Sequence, residues 1–173
     1  MIDADLFKRG MRRLAAGVSI VTTCESGEPR GMLATSVCSV SAEPPTLLVC
    51  VNRNTASHAA ISRAGFFCVN LLSESDDKLA DRFSIPAERG RRFLDREWTT
   101  LVTGAPALVG ALASFDNEVV EAVDVQSHTV FIGRVKAVEL WQPDIASLVY
   151  LDGQFDILRG RAAEQERARV KPF

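Results

Sequence analysis

Two short stretches of this 173-residue chain combine residue types and spacing that suit ligand chemistry. The first is Met32-Leu-Ala-Thr-Ser-Val-Cys38. Small side chains at Ala34, Thr35 and Ser36 let the main chain come close to a flat ligand, whose polar edge can use the backbone N–H and C=O groups. A strand packed tightly in a barrel has the same composition. The second stretch, Cys50-Val-Asn-Arg-Asn-Thr-Ala-Ser-His58, runs from a strand into a helix. Free N–H groups at a helix start, with Arg53 beside them, make an anion site to which Asn52, Thr55 and Ser57 can add hydrogen bonds. A capped helix with a solvated Arg53 fits that segment equally well. His128, in Ser127-His-Thr129, is either a turn residue or a polar group facing a ligand groove. Arg92-Phe93 closes a polar arm and reads on its own as a surface arginine beside a docking ring, and Tyr150 fits an apolar core.

Absences narrow the chemistry. There is no G-x-G-x-x-G, Walker loop, G-x-S-x-G or H-E-x-x-H pattern. The two histidines are His58 and His128, too few for a histidine-rich metal centre. Cys24, Cys38, Cys50 and Cys68 are spaced 14, 12 and 18 residues apart, with no C-x-x-C, so no metal site is expected. An enzyme built this way would leave the chemistry to a cofactor and supply orientation. Hydride transfer suits that, because it needs stacked rings and a tuned field more than a nucleophile.

Composition sets further limits. Apolar residues make up 47% of the chain, enough for a core without disulfide or metal staples. With 20 basic and 22 acidic residues the net charge is −2, so no global field draws nucleic acid or an acidic membrane and any anion site is local. Residues 1–15 are charged and lack the apolar core of a secretory signal, and no apolar run approaches a membrane span. The expectation is a cytoplasmic protein with reduced thiols.

The elements that must position the candidates follow from periodicity. Leu6, Phe7, Met11 and Leu14 give residues 3–15 an amphipathic helix ended by Gly17. Strands are expected at 18–23, 31–41 (one extended segment), 47–51 and 66–72, with a short helix over 55–64. Residues 73–98 carry seven acids and six bases, with one helix around 78–83, and read as a functional excursion or lid. In 112–125, Phe115, Val119, Val123 and Val125 alternate against Ser114, Asp116, Glu118 and Asp124. A long strand over 129–141 and a hairpin turning at Asp152-Gly153 complete an antiparallel barrel or sandwich. The expected organisation is one domain over 1–158 and a charged tail, 159–173, of net charge +3.

Taken together, the chain resembles the flavin reductase-like family, which includes the small reductase components of two-component aromatic monooxygenases. The resemblance is carried by Gly17-Val-Ser-Ile-Val-Thr-Thr23, Gly31-Met-Leu-Ala-Thr-Ser-Val-Cys-Ser-Val-Ser41, Pro44-Pro-Thr-Leu-Leu-Val-Cys-Val-Asn-Arg-Asn54 and Phe67-Cys-Val-Asn-Leu-Leu-Ser73. It continues through Arg92-Phe93, Trp98, Gly104-Ala-Pro106, Phe115-Asp116, His128-Thr-Val-Phe-Ile-Gly-Arg-Val135 and Leu148–Gly153. It implies a mainly β fold, the FMN-binding split β-barrel with a few short peripheral helices, working as a homodimer. Ligands would be FMN or FAD, with NADH or NADPH as hydride donor, and a partner flavin-dependent monooxygenase would receive reduced flavin. Carried over by position, Met32, Ala34, Thr35, Ser36 and Val37 would line the isoalloxazine and ribityl chain, with Cys50 and Val51 on the next strand. Asn52, Arg53, Ser57 and His58 would hold the phosphate, and His128, with Arg92, Phe93 and Tyr150, would sit on the nicotinamide side. Relatives often carry Cys where this chain has Asn117, which implies a local packing change. Two other readings stand beside this one: a reductase that retains its flavin and reduces a corrinoid or metal chelate, and a non-catalytic flavin- or haem-binding barrel.

Overall fold

The computed structural model describes residues 2–141 and 146–160. The charged tail expected over 159–173 lies, beyond residue 160, outside the described residues.

Twelve strands and three α-helices form the described chain. In order they are α1 (Ala4–Met11), β1 (Ala16–Gly17), β2 (Ser19–Glu25), β3 (Glu28–Ala34), β4 (Val37–Ala42), β5 (Pro45–Asn52) and α2 (Ala56–Ala64). Then come β6 (Phe66–Leu71), α3 (Asp77–Ser84), β7 (Trp98–Thr100), β8 (Pro106–Leu108), β9 (Ala113–Val125), β10 (His128–Leu140), β11 (Ser147–Leu151) and β12 (Gln154–Leu158). Seven strands make one antiparallel sheet in the order β3-β2-β6-β9-β10-β5-β4.

That order requires a closed sheet. β3 and β4 occupy opposite edges, yet only Thr35 and Ser36 separate them in the chain. Three Cα steps reach about 11 Å, whereas seven flat strands would hold their edges about 29 Å apart. The sheet therefore curls until its edges nearly meet, and the short crossover sits in the split. The expected single segment 31–41 is thus two strands. Val21, Val49, Val51, Phe67, Val69 and Phe131 fill the barrel, each at most 1% exposed. Outside the barrel, Val18, Ile20, Leu72, Leu79, Phe83, Leu108 and Leu148 form a second core beneath α3.

Local chemistry explains the joints. Ser26 and Gly27, both at positive φ (52° and 82°), make the turn of the β2–β3 hairpin, a conformation that matches strand twist. Thr55 caps α2, accepting from the His58 N–H at 3.2 Å, and Gly65 ends it at φ 75°. The first helix is shorter than its periodicity predicts: α1 stops at Met11, and none of its side chains is buried.

The alternation expected over 112–125 is broken by a bulge. Gly133 pairs with Val119 but Ile132 pairs with Glu121, leaving Val120 unmatched. One extra residue exchanges the two faces of a strand. Val119 therefore faces inward, while Val123 and Val125 turn outward with exposures of 40% and 52%, and Asp124 turns toward Thr129. At the other end of β9, Ser114 and Asp116 are fully buried, because the 101–108 segment covers them. Asp116 accepts from the backbone N–H groups of Val102 and Thr103 at 2.8 and 2.7 Å. Asn117 is also fully buried: its Nδ2 donates to the Phe115 and Phe67 carbonyls while Oδ1 has no partner.

Candidate active site

The crossover between β3 and β4 is strapped to β5. The Ser36 hydroxyl donates to the Cys50 carbonyl at 2.9 Å, and the Cys50 N–H reaches the Ser36 carbonyl at 3.4 Å. Thr35 is exposed, and among the described residues the N–H groups of Thr35 and Ser36 donate to no protein acceptor. Unpaired main-chain donors on a strand edge are available to a ligand's polar rim. Alternation along β5 turns Val49 and Val51 into the barrel and Cys50 and Asn52 outward. Ala34 and Val51, 7% and 0% exposed, can therefore meet a ligand only through their main chain. Val37 is half-buried against the barrel core. His128 pairs with Asn52 and Val130 with Cys50, so all four share the outer face. The His128 ring is exposed, with Nδ1 2.8 Å from the Ser127 hydroxyl.

At the start of α2 most of the expected phosphate ligands have internal partners. Asn52 Oδ1 accepts from the Asn54 N–H at 2.9 Å. Arg53 lies 3.3 Å from Asp124, both side chains being largely solvated. Thr129 donates its hydroxyl proton to Asp124 at 2.7 Å, so it accepts from His58 Nε2 at 2.8 Å and fixes the proton of that imidazole on Nε2. The His58 ring also rests on Phe131, with centroids 5.3 Å apart. Ser57, 7% exposed, is the member of this group that faces a cavity.

Residues 73–98 form the opposite wall, and they are pinned rather than free. Asp76, fully buried, accepts from the Ser73 N–H and hydroxyl at 2.9 and 2.7 Å and pairs with Arg96. Arg82 donates to the Leu94 carbonyl at 2.8 Å. Phe93 packs between Phe83 and Trp98, at centroid distances of 5.6 and 5.0 Å. Arg92 ties this arm to the barrel, donating to the Gly31 carbonyl at 2.9 Å and the Phe83 carbonyl at 2.7 Å. Burial, with the charge of Arg89 beside it, holds the Arg92 guanidinium below its ordinary pKa.

Two cavities open side by side along β3. The first, about 220 Å3, lies between Pro29–Met32, the first turn of α2 and the arm, and Arg30, Ser57, Arg89, Arg92 and Phe93 line it. The second, about 420 Å3, adjoins Leu33–Thr35 and is closed by Ser84, Tyr150 and Phe155, the two rings meeting edge to face at 5.9 Å. Main-chain donors and a wide cavity at one end of the groove, with a cationic pocket at the other, suit a ligand that is flat at one end and anionic at the other.

Comparison with known proteins bears on the same ligand type. The sequence model of the family described as "Flavin reductase like domain" matches residues 11–159. The chain belongs to this family. It is 40% identical over 173 residues to the FMN reductase (NADH) RutF of Methylorubrum populi, covering 97% of this chain and 85% of that protein. Among solved structures it is similar to the NADH:FAD oxidoreductase SgcE6 of Streptomyces globisporus, in complex with NAD and FAD fragments. That match has a TM-score of 0.84 and 28% identity and covers 94% and 98% of the two chains. BorF, the flavin reductase component of a bacterial two-component tryptophan halogenase, superposes with a TM-score of 0.83 at 32% identity, covering 92% of this chain and all of BorF.

Within the family's split barrel, ten of the fifteen expected site residues fall into three groups. Met32, Ser57, Arg92 and Phe93 line the smaller cavity, and Ala34, Thr35 and Tyr150 the larger. Cys50, Asn52 and His128 share the outer sheet face beyond the crossover. Sequence reasoning missed Arg30, Arg89, Ser84 and Phe155. The run Glu88-Arg-Gly-Arg-Arg92 was the available signal for Arg89; Arg30, just before the segment expected to begin at Gly31, gave none.

Proposed function

We propose that this flavin reductase-like protein uses the groove along β3 and the crossover to bring a flavin and NAD(P)H together for hydride transfer. The activity is that of an NAD(P)H:flavin oxidoreductase, with FMN or FAD as acceptor. The observation that carries the reading is the pair of unpaired N–H groups at Thr35 and Ser36, set beside a wide cavity that adjoins an arginine-lined one along β3. A bound flavin supplies the hydride-accepting ring, a chemistry no side chain of the chain offers. The chain's own part is to bind and orient. Thr35–Val37 present main-chain donors to the ring edge, where negative charge gathers on reduction, and pre-aimed donors of this kind stabilise developing charge. Cys50 and Asn52 extend that face, and Ser57 with the first turn of α2 meets the phosphate end. Tyr150 walls the larger cavity near Thr35, and His128 orients the nicotinamide nucleotide from the outer face. Holding the two ligands in register lowers the barrier by several kcal/mol without a general base.

Two-component relatives such as BorF support a partner oxygenase that receives reduced flavin by diffusion. A homodimer fits the apolar side chains left bare on one protomer, among them Val40, Val123, Val138 and Leu140 at 40–72% exposure. Val138 lines, and Val40 lies between residues that line, an apolar cleft of about 340 Å3 bounded also by Leu47, Phe115 and Val135, which a second copy would cover. No described helix is long and apolar enough to cross a membrane, and the four cysteines are unpaired, which supports a cytoplasmic location.

The decisive experiment mixes the protein, NADH and FMN and follows the nicotinamide absorbance, then repeats the assay with FAD and with NADPH. Loss of that band only when flavin is present is expected, and no flavin-dependent oxidation of either nucleotide sinks the reading. His128→Ala is expected to raise KM for the nicotinamide nucleotide more than it weakens flavin binding. A collapse of flavin affinity instead would move His128 to the flavin.

A further inference from the structure

We infer that Asp124 and Thr129 are positioning residues for the hydride transfer: with His58 they form a hydrogen-bonded chain that latches the tip of the β9–β10 hairpin to α2 and so sets where His128 meets the nicotinamide nucleotide. The inference rests on the flavin reductase reading, in which His128 orients that nucleotide, and adds what orients His128.

Thr129 follows His128 in β10 and, at 2% exposure, is too buried to meet a ligand itself. Alternation turns it with its cross-strand partner Val51 toward the barrel, and turns His128 to the outer face. A hydroxyl so placed destabilises the fold unless it is hydrogen-bonded. Here it is bonded twice. Its proton goes to Asp124 at 2.7 Å, and its oxygen accepts from His58 Nε2 at 2.8 Å. The His58 end is fixed in turn, since the ring rests on Phe131 and the His58 N–H donates to the Thr55 cap of α2. Asp124 also meets Arg53 at 3.3 Å, and the Arg53 N–H donates to the Ser127 carbonyl at 3.0 Å. The residues before and after His128 are thus both tied to the segment that opens α2. The Ser127 hydroxyl, 2.8 Å from His128 Nδ1, extends that hold to the ring.

The tip needs such an anchor. The pairing of β10 with β5 ends at His128 and Asn52, and strand ends open at little cost. Pairing of β6 with β9 stops at Glu118, so among the described residues the strand from Val119 to Val125 has only β10 beside it. The bulge at Val120 supplies the missing partner. Without the extra residue Asp124 would point outward; with it, Asp124 shares the face of Thr129. Bulges next to active sites re-aim side chains in this way.

The test is steady-state kinetics of Asp124→Ala, Thr129→Val and Thr129→Ser, alone and combined with His128→Ala. FMN is held saturating and the nicotinamide nucleotide that wild type oxidises faster is varied. Thr129→Val keeps the shape and removes the hydroxyl, whereas Thr129→Ser keeps the hydroxyl. Asp124→Ala opens the chain at a largely solvated carboxylate, and decides alone should Thr129→Val fail to fold. Thr99→Val, at an exposed position of β7, is the control. KM for the nicotinamide nucleotide is expected to rise on the order of tenfold in Asp124→Ala and in Thr129→Val, with kcat within about twofold of wild type. Thr129→Ser should restore most of the wild-type KM, and Thr99→Val should leave it unchanged. In the His128→Ala background neither substitution should raise KM further, because the side chain they position is gone. A merely structural role gives another pattern: partial unfolding lowers the amount of active protein, and with it kcat, while KM stays in place. That pattern, a wild-type KM in Asp124→Ala, or a rise of equal size with and without the His128 side chain overturns the inference. Failure of the flavin reductase reading looks different, since no flavin would then support oxidation of either nucleotide by wild type.

Discussion

Gly31 is the point at which the barrel, the arm and the cationic cavity meet, and Gly31→Ala tests that junction. A Cβ built there lies 2.8 Å from Phe83 Cε1, 3.2 Å from Phe93 Cζ and 3.3 Å from Thr22 Cγ2. Ordinary carbon contacts are about 3.5–4.0 Å, so the Phe83 ring must retreat by more than half an ångström. Phe83 is 2% exposed and packed against Phe93 and Trp98, which leaves it no open side. Overpacking of this kind costs about 1–3 kcal/mol. In a chain of this length that corresponds to a fall in Tm of about 2–12 °C. The displaced arm carries Arg89 and Arg92, so the KM for FMN should rise with the loss of stability. Phe83→Leu removes the obstructing ring atoms. In a double-mutant cycle read by chemical denaturation, Gly31→Ala should therefore cost less in the Phe83→Leu background, with a coupling of about 1 kcal/mol or more. If the two substitutions add to within about 0.5 kcal/mol, the contact is not what requires glycine here.

Three further outcomes are expected. Gly133→Ala drives a Cβ to 2.7 Å from Phe67 Cζ and 2.8 Å from Asn117 Cβ, both residues being fully buried, and should destabilise the barrel by about 1–3 kcal/mol; a denaturation midpoint equal to wild type contradicts this. Asp76→Asn weakens the acceptor of the Ser73 cap and of Arg96, loosening the arm at a cost of about 1–3 kcal/mol; hydrogen exchange should quicken across 73–98 before the barrel strands respond. Of the four thiols, exposed Cys38 should react first with a thiol reagent at mild alkaline pH. Cys68 should stay silent until unfolding, because burial and the nearby Asp116 carboxylate push its thiol pKa well above the usual range and keep it protonated as pH rises; early modification of Cys68 contradicts the packing.

Strands, their approximate ends and the chemistry of single segments were legible in the sequence, because they depend on neighbours a few residues apart. The short helix expected over 55–64 is α2, capped by Thr55, and the hairpin expected at Asp152-Gly153 joins β11 to β12 with both residues at positive φ. The small residues of Ala34–Val37 pointed to a place where main chain could meet a flat ligand, and unpaired N–H groups lie there.

What depended on sheet closure was hidden. That β3 and β4 stand at opposite edges follows from pairings 40 and more residues apart in the chain, such as β2 with β6. The bulge at Val120 turned Val123 and Val125 to the outside, a one-residue event that composition does not mark. Arg30 and Arg89, some sixty residues apart, became neighbours of α2 only when the aromatic cluster of Phe83, Phe93 and Trp98 docked the arm on Gly31. The same docking committed Arg92 to two carbonyls, while the Asp124–Thr129 pairing committed Arg53 and His58. Local sequence sets what a residue can offer a ligand; the packing of distant segments decides which of those offers is already taken.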